Sequence, residues 1–169
     1  MRLSRTALIL LAGLAVVQLV YYYAAMPETM ASHFDGAGRP NGFQSRDGFY
    51  ALTAAMLSMV VVLFGGFRFL FRVLPASAIN VPNREHWLAP ERFEETIDFM
   101  VRQMEWMGVA TLILLIFVLQ GVFEANQSPE PRLGGAIWWA LLGYFSFTAV
   151  WLVRFLRRFR KPQSLTAMS

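Results

Sequence analysis

The chain has 169 residues, of which 56% are hydrophobic and 15% are charged, and its mean hydropathy is +0.44. Soluble domains carry about 25% charged residues, so this composition favours a single integral membrane domain. The sequence contains no cysteine, which excludes disulfides, thiolate metal sites and cysteine nucleophiles. The net charge of +4 does not indicate nucleic-acid binding, because the basic residues lie at the ends of apolar runs, as the positive-inside rule describes.

Four apolar runs predict four membrane-spanning helices, at about residues 7–26, 48–67, 107–123 and 133–153. At about 1.5 Å per residue, runs of this length suit a hydrocarbon core of about 30 Å. The first run is longer than the apolar part of a typical secretory signal, so we expect it to remain as a span. The predicted fold class is therefore all-α: an integral membrane four-helix bundle over residues 1–161, followed by a disordered tail at residues 162–169.

A polar, turn-rich segment, Met26–Asp47, separates the first two runs. Asp35-Gly36 and Pro40-Asn41-Gly42 are strong turn signals within it, because Gly and Asn tolerate a positive φ and Pro presets φ. We therefore expect a compact, structured loop.

A second polar segment, Leu74–Gln103, separates the second and third runs, and three prolines break its first part into short pieces. After the prolines, apolar residues recur at helical spacing. They are Phe93, Ile97, Met100, Val101 and Met104. This spacing predicts an amphipathic helix that lies on the membrane surface or runs directly into the third span.

The distribution of basic residues predicts the topology. With the N-terminus inside, the inner segments hold twelve of the Lys and Arg residues, and the outer loops hold only Arg39, Arg46 and Arg132. This excess predicts that both termini are cytoplasmic. It also predicts that the Met26–Asp47 loop lies outside and that Leu74–Gln103 is a cytoplasmic segment.

Two histidines are the first candidates for chemistry. His33 and Asp35 form an H-x-D pair, which could ligate a metal or act as a base and its orienting group; alternatively, both could cap turns of the loop. His86 follows Glu85, but the surrounding spacing is not the HExxH of a zinc protease. Because the two histidines are predicted on opposite sides of the membrane, they cannot share one metal, and we expect neither a metal nor a cofactor.

Two motifs resemble a known family. The first motif lies in the loop and runs from Pro27 through His33-Phe34-Asp35 to Gly38-Arg39-Pro40-Asn41-Gly42. It resembles the signature of a bacterial membrane domain of unknown function. That domain also forms the N-terminal part of SdpI-type immunity proteins. The runs Asn80-Val81-Pro82-Asn83 and Trp87-Leu88-Ala89-Pro90-Glu91 are similar to a second stretch found in many members. The resemblance implies a multi-pass protein of the bacterial inner membrane. SdpI-type proteins protect their producer from a secreted toxin and can hold a repressor at the membrane, but this chain lacks the N-P-x-x-G-x-R-T motif of their second half.

The predicted function is non-enzymatic and depends on protein–protein contact. The chain would be an accessory subunit of a membrane complex or an SdpI-like immunity or signalling component, and its partners would be the lipid bilayer and another membrane protein or a second copy. No predicted span has a charged residue at its centre, which argues against an ion-coupled transporter. The alternatives are a metal-dependent membrane enzyme that uses His33 and Asp35, and a binder of an apolar ligand between the helices.

The candidate binding residues form two groups, one in each polar segment. The outer loop contributes His33, Asp35, Gly38, Arg39 and Asn41. The cytoplasmic segment contributes Asn80, Asn83, His86, Trp87 and Glu91.

Overall fold

The computed structural model describes residues 2–160, so the predicted disordered tail lies outside the described residues. Four long helices dominate this part of the chain, and each is long and apolar enough to cross a membrane. They are α1 (Leu3–Tyr23), α2 (Arg46–Val73), α4 (Phe93–Asn126) and α5 (Ala136–Arg158). The predicted class, a helical membrane protein with four spans, is confirmed.

The helix α4 is longer than the predicted third span. Its 34 residues correspond to about 51 Å, well beyond a hydrocarbon core of about 30 Å. Residues 93–103 form its first three turns, so no separate amphipathic surface helix is present among the described residues. Between α2 and α4, the polar segment contains a short 3-10 helix, Ala76–Ala78, and the four-residue helix α3, Arg84–Trp87.

The segment between α1 and α2 is a β-hairpin. Its strands are β1 (Thr29–Phe34) and β2 (Pro40–Ser45), which pair antiparallel with an irregular register near His33. The sequence predicted a structured loop but not the strands. The predicted turn at Asp35-Gly36 is present, whereas Pro40-Asn41-Gly42, which was predicted to turn, forms the start of β2. Short strands made of polar and small residues lack the apolar alternation by which strands are recognised.

The helix α4 lies at the centre of the bundle and packs against α1, α2 and α5. The main core surrounds it and includes fully buried Leu112 and Phe123, with Leu8 from α1 and Leu57 from α2. The helix α5 packs on the outside of α4, and Ile137 is its only buried residue in the described structure.

The two ends of the bundle differ in charge. At one end, Asp98 of α4 forms ion pairs with Arg2 and, at 3.2 Å, with Arg68. Eleven of the fourteen arginines lie in the segments at this end, which we call the basic end. The β-hairpin lies at the opposite end, which we call the hairpin end. A second apolar cluster, which includes Phe71, Val101 and Phe159, closes the basic end.

Candidate functional site

The turn of the hairpin is organised by Asp35. Its Oδ1 accepts the backbone N–H groups of Ala37 and Arg39 at 2.9 and 2.8 Å, and its backbone N–H donates to the carbonyl of Arg39 at 2.8 Å. These bonds hold the pKa of Asp35 below its ordinary value, and the bond from the Arg39 N–H has the largest effect. Because the carboxylate closes the turn, Asp35 has a structural role in this geometry.

The same turn is fixed to the connection between α4 and α5. The N–H of Leu133 donates to the carbonyl of Gly38 at 2.9 Å. Gly38 has a φ of +77°, and a Cβ at this position would lie 2.3 Å from the carbonyl oxygen of Leu133. Both the backbone conformation and the close contact therefore require glycine here.

The strand β1 is fixed to the end of α4 by one side chain. Oδ1 of Asn126 accepts the N–H of Ala31 at 2.8 Å, and its Nδ2 donates to the carbonyl of Ala31 at 3.0 Å. The same Nδ2 also donates to the carbonyl of Val122 at 2.9 Å. The Asn126 amide thus acts as a strand partner for Ala31. Sequence reasoning missed this role, because nothing local distinguishes Asn126 from an ordinary residue at a helix end.

The remaining candidates in the loop point to the surface. His33, Arg39 and Asn41 are exposed, and His33 pairs with Gly42 across the hairpin. A Cβ on Gly42 would lie 2.9 Å from the Cβ of His33, so glycine allows this pairing. Among residues 2–160, no three His, Asp or Glu side chains are close enough to hold a metal ion.

The outer edge of β2 has a row of backbone groups directed away from β1. Residues 28 and 46 form a hydrogen-bonded pair, since Arg46 N–H donates to the carbonyl of Glu28 at 2.8 Å. Pairs alternate along an antiparallel ladder, so Ala31 and Phe43 form a pair without mutual hydrogen bonds. The N–H and C=O of Phe43 consequently point outward, and its side chain is 60% exposed.

At the basic end, Asn83 and Trp87 contact the end of α5. Asn83 has a φ of 53° and donates its Nδ2 to the carbonyl of Phe159 at 2.7 Å. The Trp87 ring packs edge-on against Phe159, and the guanidinium of Arg158 lies 4.1 Å from the centre of the Trp87 ring. The α2–α4 connection therefore holds the C-terminal turn of α5 in place.

Three candidates of the Leu74–Gln103 segment remain: Asn80, His86 and Glu91. A ring nitrogen of His86 contacts Arg92 Nη1 at 2.6 Å. Desolvation, followed by the charges of Arg92 and Arg158, lowers the pKa of His86. Asn80 and Glu91 are exposed, and the structure does not bring them to the other residues of this group within the described range.

Several polar residues are buried inside the bundle between α1 and α4, among them Ser4, Gln18 and Glu105. Glu105 of α4 is 1% exposed and accepts a hydrogen bond from Ser4 Oγ at 2.6 Å. Gln18 Nε2 donates to Gln120 Oε1 at 3.0 Å, and Gln120 Nε2 donates to the hydroxyl of Tyr22 at 2.6 Å. These bonds connect α1 to α4 and give buried donors hydrogen-bond partners that lipid could not supply.

Comparison with known protein families gives a match that includes the hairpin. Residues 9–57 match the model of a domain of unknown function, DUF1648. The match confirms the resemblance to a domain of unknown function that the loop motif indicated. It does not show a link to SdpI-type immunity proteins. No curated protein and no solved structure matches the chain.

The DUF1648 match covers most of α1, the whole hairpin and the first part of α2. Asn126 and Leu133, which fix the hairpin to the rest of the bundle, lie outside the matched region. The position of the hairpin on the bundle therefore depends on α4 and on the α4–α5 connection as well as on the matched segment.

Proposed function

We propose that this chain is a non-enzymatic, multi-pass protein of the bacterial inner membrane that uses its hairpin to contact another protein. The hairpin end would lie outside, and the basic end with both termini would lie in the cytoplasm. The charge distribution supports this orientation, since eleven arginines lie in the segments of the basic end and only Arg39, Arg46 and Arg132 lie at the hairpin end.

The observation that carries the proposal is the fixed position of the hairpin. Asn126 holds β1, Leu133 holds the turn at Gly38, and Tyr23 Oη donates to Asp47 Oδ1 at 2.7 Å where the hairpin joins α2. A recognition surface that is ordered before binding loses little conformational entropy when a partner binds. The hairpin meets this condition while it exposes His33, Arg39 and Asn41.

The outer edge of β2 suggests how a partner would bind. The outward N–H and C=O of Phe43 could pair with an extended segment of another protein, which would add a third strand to the hairpin. Asn41, Phe43 and Ser45 alternate with less exposed residues along β2, so their side chains share the exposed face. They would contact alternate side chains of the added strand.

Site-specific cross-linking tests this proposal. A photoreactive amino acid is placed at Asn41 or Phe43 in the full chain in its native membrane, and at exposed Glu130 of the α4–α5 connection as a control. After ultraviolet irradiation, the complexes are purified in mild detergent and identified by mass spectrometry. We expect the same partner polypeptide at both hairpin positions and not at Glu130. If all three positions cross-link only to lipid, the proposal is wrong.

Two variants of Phe43 test the mode of contact. Phe43→Ala removes the exposed ring but keeps the outward N–H, whereas Phe43→Pro also removes that N–H. Proline is tolerated at an edge-strand position whose N–H faces outward. Strand addition predicts less cross-linking at Asn41 in the Pro variant than in the Ala variant. Equal cross-linking in both variants would indicate contact through side chains alone.

The identity of the cross-linked partner distinguishes an accessory subunit from an immunity or signalling component. A stable subunit of a larger membrane assembly would make this chain an accessory subunit. A secreted peptide or a regulatory protein would support an immunity or signalling role. The proposal makes no use of metal chemistry, because Oδ1 of Asp35 is occupied by two backbone N–H groups.

A further inference from the structure

The helices α4 and α5 leave an apolar groove between them. It contains a cavity of about 450 Å³ whose lining includes Trp106, Ile113, Gly143 and Phe147. A Cβ built on Gly143 would meet nothing within 4 Å. A glycine inside a helix normally weakens it by about 1 kcal/mol relative to alanine. Here no close helix–helix contact explains the glycine, and the missing side chain instead leaves space in the groove.

Toward the basic end, the groove continues into a second cavity of about 580 Å³, which shares Trp106 and Phe147 with the first. Three arginines line this second cavity: Arg154, Arg157 and Arg158. Arg158 is engaged with the carboxylate of Glu95 at 2.9 Å. No carboxylate of the described residues lies within 4.0 Å of Arg154 or Arg157, and both are exposed.

The distance along α5 from Gly143 to Arg154 matches the thickness of one leaflet of a bilayer. Gly143 and Arg154 are eleven residues apart on α5, which corresponds to about 16 Å along the helix axis. Half of the hydrocarbon core is about 15 Å thick. An acyl chain that reaches Gly143 would therefore place its headgroup at the level of Arg154 and Arg157.

We propose that the α4–α5 groove binds an anionic glycerophospholipid from the leaflet at the basic end. The guanidinium groups of Arg154 and Arg157 would donate to the headgroup phosphate, since arginine matches the geometry of phosphate oxygens. Trp106 and Phe147 would line the path of an acyl chain, which ends in the space beside Gly143. Basic pockets between membrane helices are recognised sites for anionic headgroups. The inference is independent of any partner at the hairpin.

Native mass spectrometry of the full chain in detergent tests the inference, with phosphatidylglycerol and phosphatidylcholine as the two lipid probes. We expect about tenfold preferential retention of phosphatidylglycerol. The double variant Arg154→Gln with Arg157→Gln should lose this preference. Gly143→Leu should weaken retention of both lipids, because its side chain fills the groove while the arginines remain. The controls are Arg72→Gln, an exposed arginine of the same end, and Gly66→Leu, where a Cβ also meets nothing within 4 Å.

Several outcomes would overturn the inference. One is equal retention of the two lipids by the unmodified chain. Another is retention of phosphatidylglycerol by the double Gln variant at the level of the Arg72→Gln control. If the double Gln variant does not fold, Gly143→Leu compared with Gly66→Leu decides the question, since both keep every charge. Appearance of a lipid-free dimer that Gly143→Leu abolishes would show that a second copy, rather than a lipid, occupies the groove.

Discussion

The side-chain amide of Asn126 pairs with both backbone groups of Ala31, with Oδ1 accepting at 2.8 Å and Nδ2 donating at 3.0 Å. Ala31 is 1% exposed, so water cannot replace these bonds. One residue at the end of a membrane helix thus holds strand β1 of the hairpin on the bundle.

Replacement of Asn126 by alanine is expected to loosen the hairpin. The variant leaves the N–H and C=O of Ala31 buried without partners, at a cost of about 1–3 kcal/mol for each group. Hydrogen exchange followed by mass spectrometry in lipid nanodiscs should show faster exchange across residues 29–45. Asn80→Ala, which changes an exposed asparagine, should exchange like the unmodified chain. Unchanged protection of β1 in Asn126→Ala would contradict the assigned role.

A matched pair of glycine variants tests the contact between the turn and the α4–α5 connection. Gly38→Ala introduces a Cβ 2.3 Å from the carbonyl oxygen of Leu133 at a position with φ of +77°, whereas a Cβ at Gly36 meets nothing within 4 Å. We expect Gly38→Ala to destabilise the docked hairpin by about 1–3 kcal/mol. Limited proteolysis of the hairpin should be faster in Gly38→Ala than in Gly36→Ala. Equal cleavage rates would show that the turn is not held at Leu133.

The stability of the turn should depend on pH through Asp35. Its pKa is lowered in the folded hairpin by the N–H of Arg39 and then by that of Ala37. The stabilisation is therefore complete above the ordinary pKa of about 4 and is lost as the pH falls through the lower folded value. Amide chemical shifts of Ala37 and Arg39, recorded by NMR between about pH 6 and pH 2, should move together with a midpoint below about 4. Asp35→Asn should remove this titration, and a midpoint above the ordinary value would disprove the assignment.

The hydrogen bond from Ser4 to Glu105 should contribute measurably to stability. Ser4→Ala removes a hydroxyl that donates at 2.6 Å to a carboxylate in a residue that is 1% exposed. The expected cost is about 1–3 kcal/mol, which lowers the thermal midpoint in detergent by several degrees. Glu105→Gln keeps an acceptor for Ser4 and should have a smaller effect. Ser77→Ala, an exposed serine at the same end, serves as the control, and equal midpoints for it and Ser4→Ala would refute the prediction.

The sequence predicted those features that depend on neighbouring residues. Apolar runs predicted the four long helices, and Asp35-Gly36 predicted the turn of the hairpin, whereas Pro40-Asn41-Gly42, which was predicted to turn, is the start of β2. The sequence left two alternatives for residues 93–103, a surface helix or the first turns of the third span, because an amphipathic pattern fits both. The structure has the second.

The features that the sequence did not predict all depend on distant partners. Asn126 pairs with a residue 95 positions earlier in the chain, and Glu105 accepts from a residue 101 positions earlier. Whether a polar residue of a helix is exposed or buried depends on which face of that helix meets another helix. That face is determined by the packing of α1 and α2 around α4, which no local pattern encodes.

Gly108 and Gly143 lie in neighbouring helices but should respond oppositely to alanine. A Cβ on Gly108 would lie 2.6 Å from the Cβ of Phe64 and 2.9 Å from Cδ1 of Leu8, so α1, α2 and α4 approach closely there. Gly108→Ala should lower stability by about 1–3 kcal/mol through overpacking. Gly143→Ala meets no neighbour within 4 Å and should raise stability by up to about 1 kcal/mol through helix propensity. Thermal unfolding in one detergent measures both variants, and shifts of the same sign would contradict the close approach of three helices at Gly108.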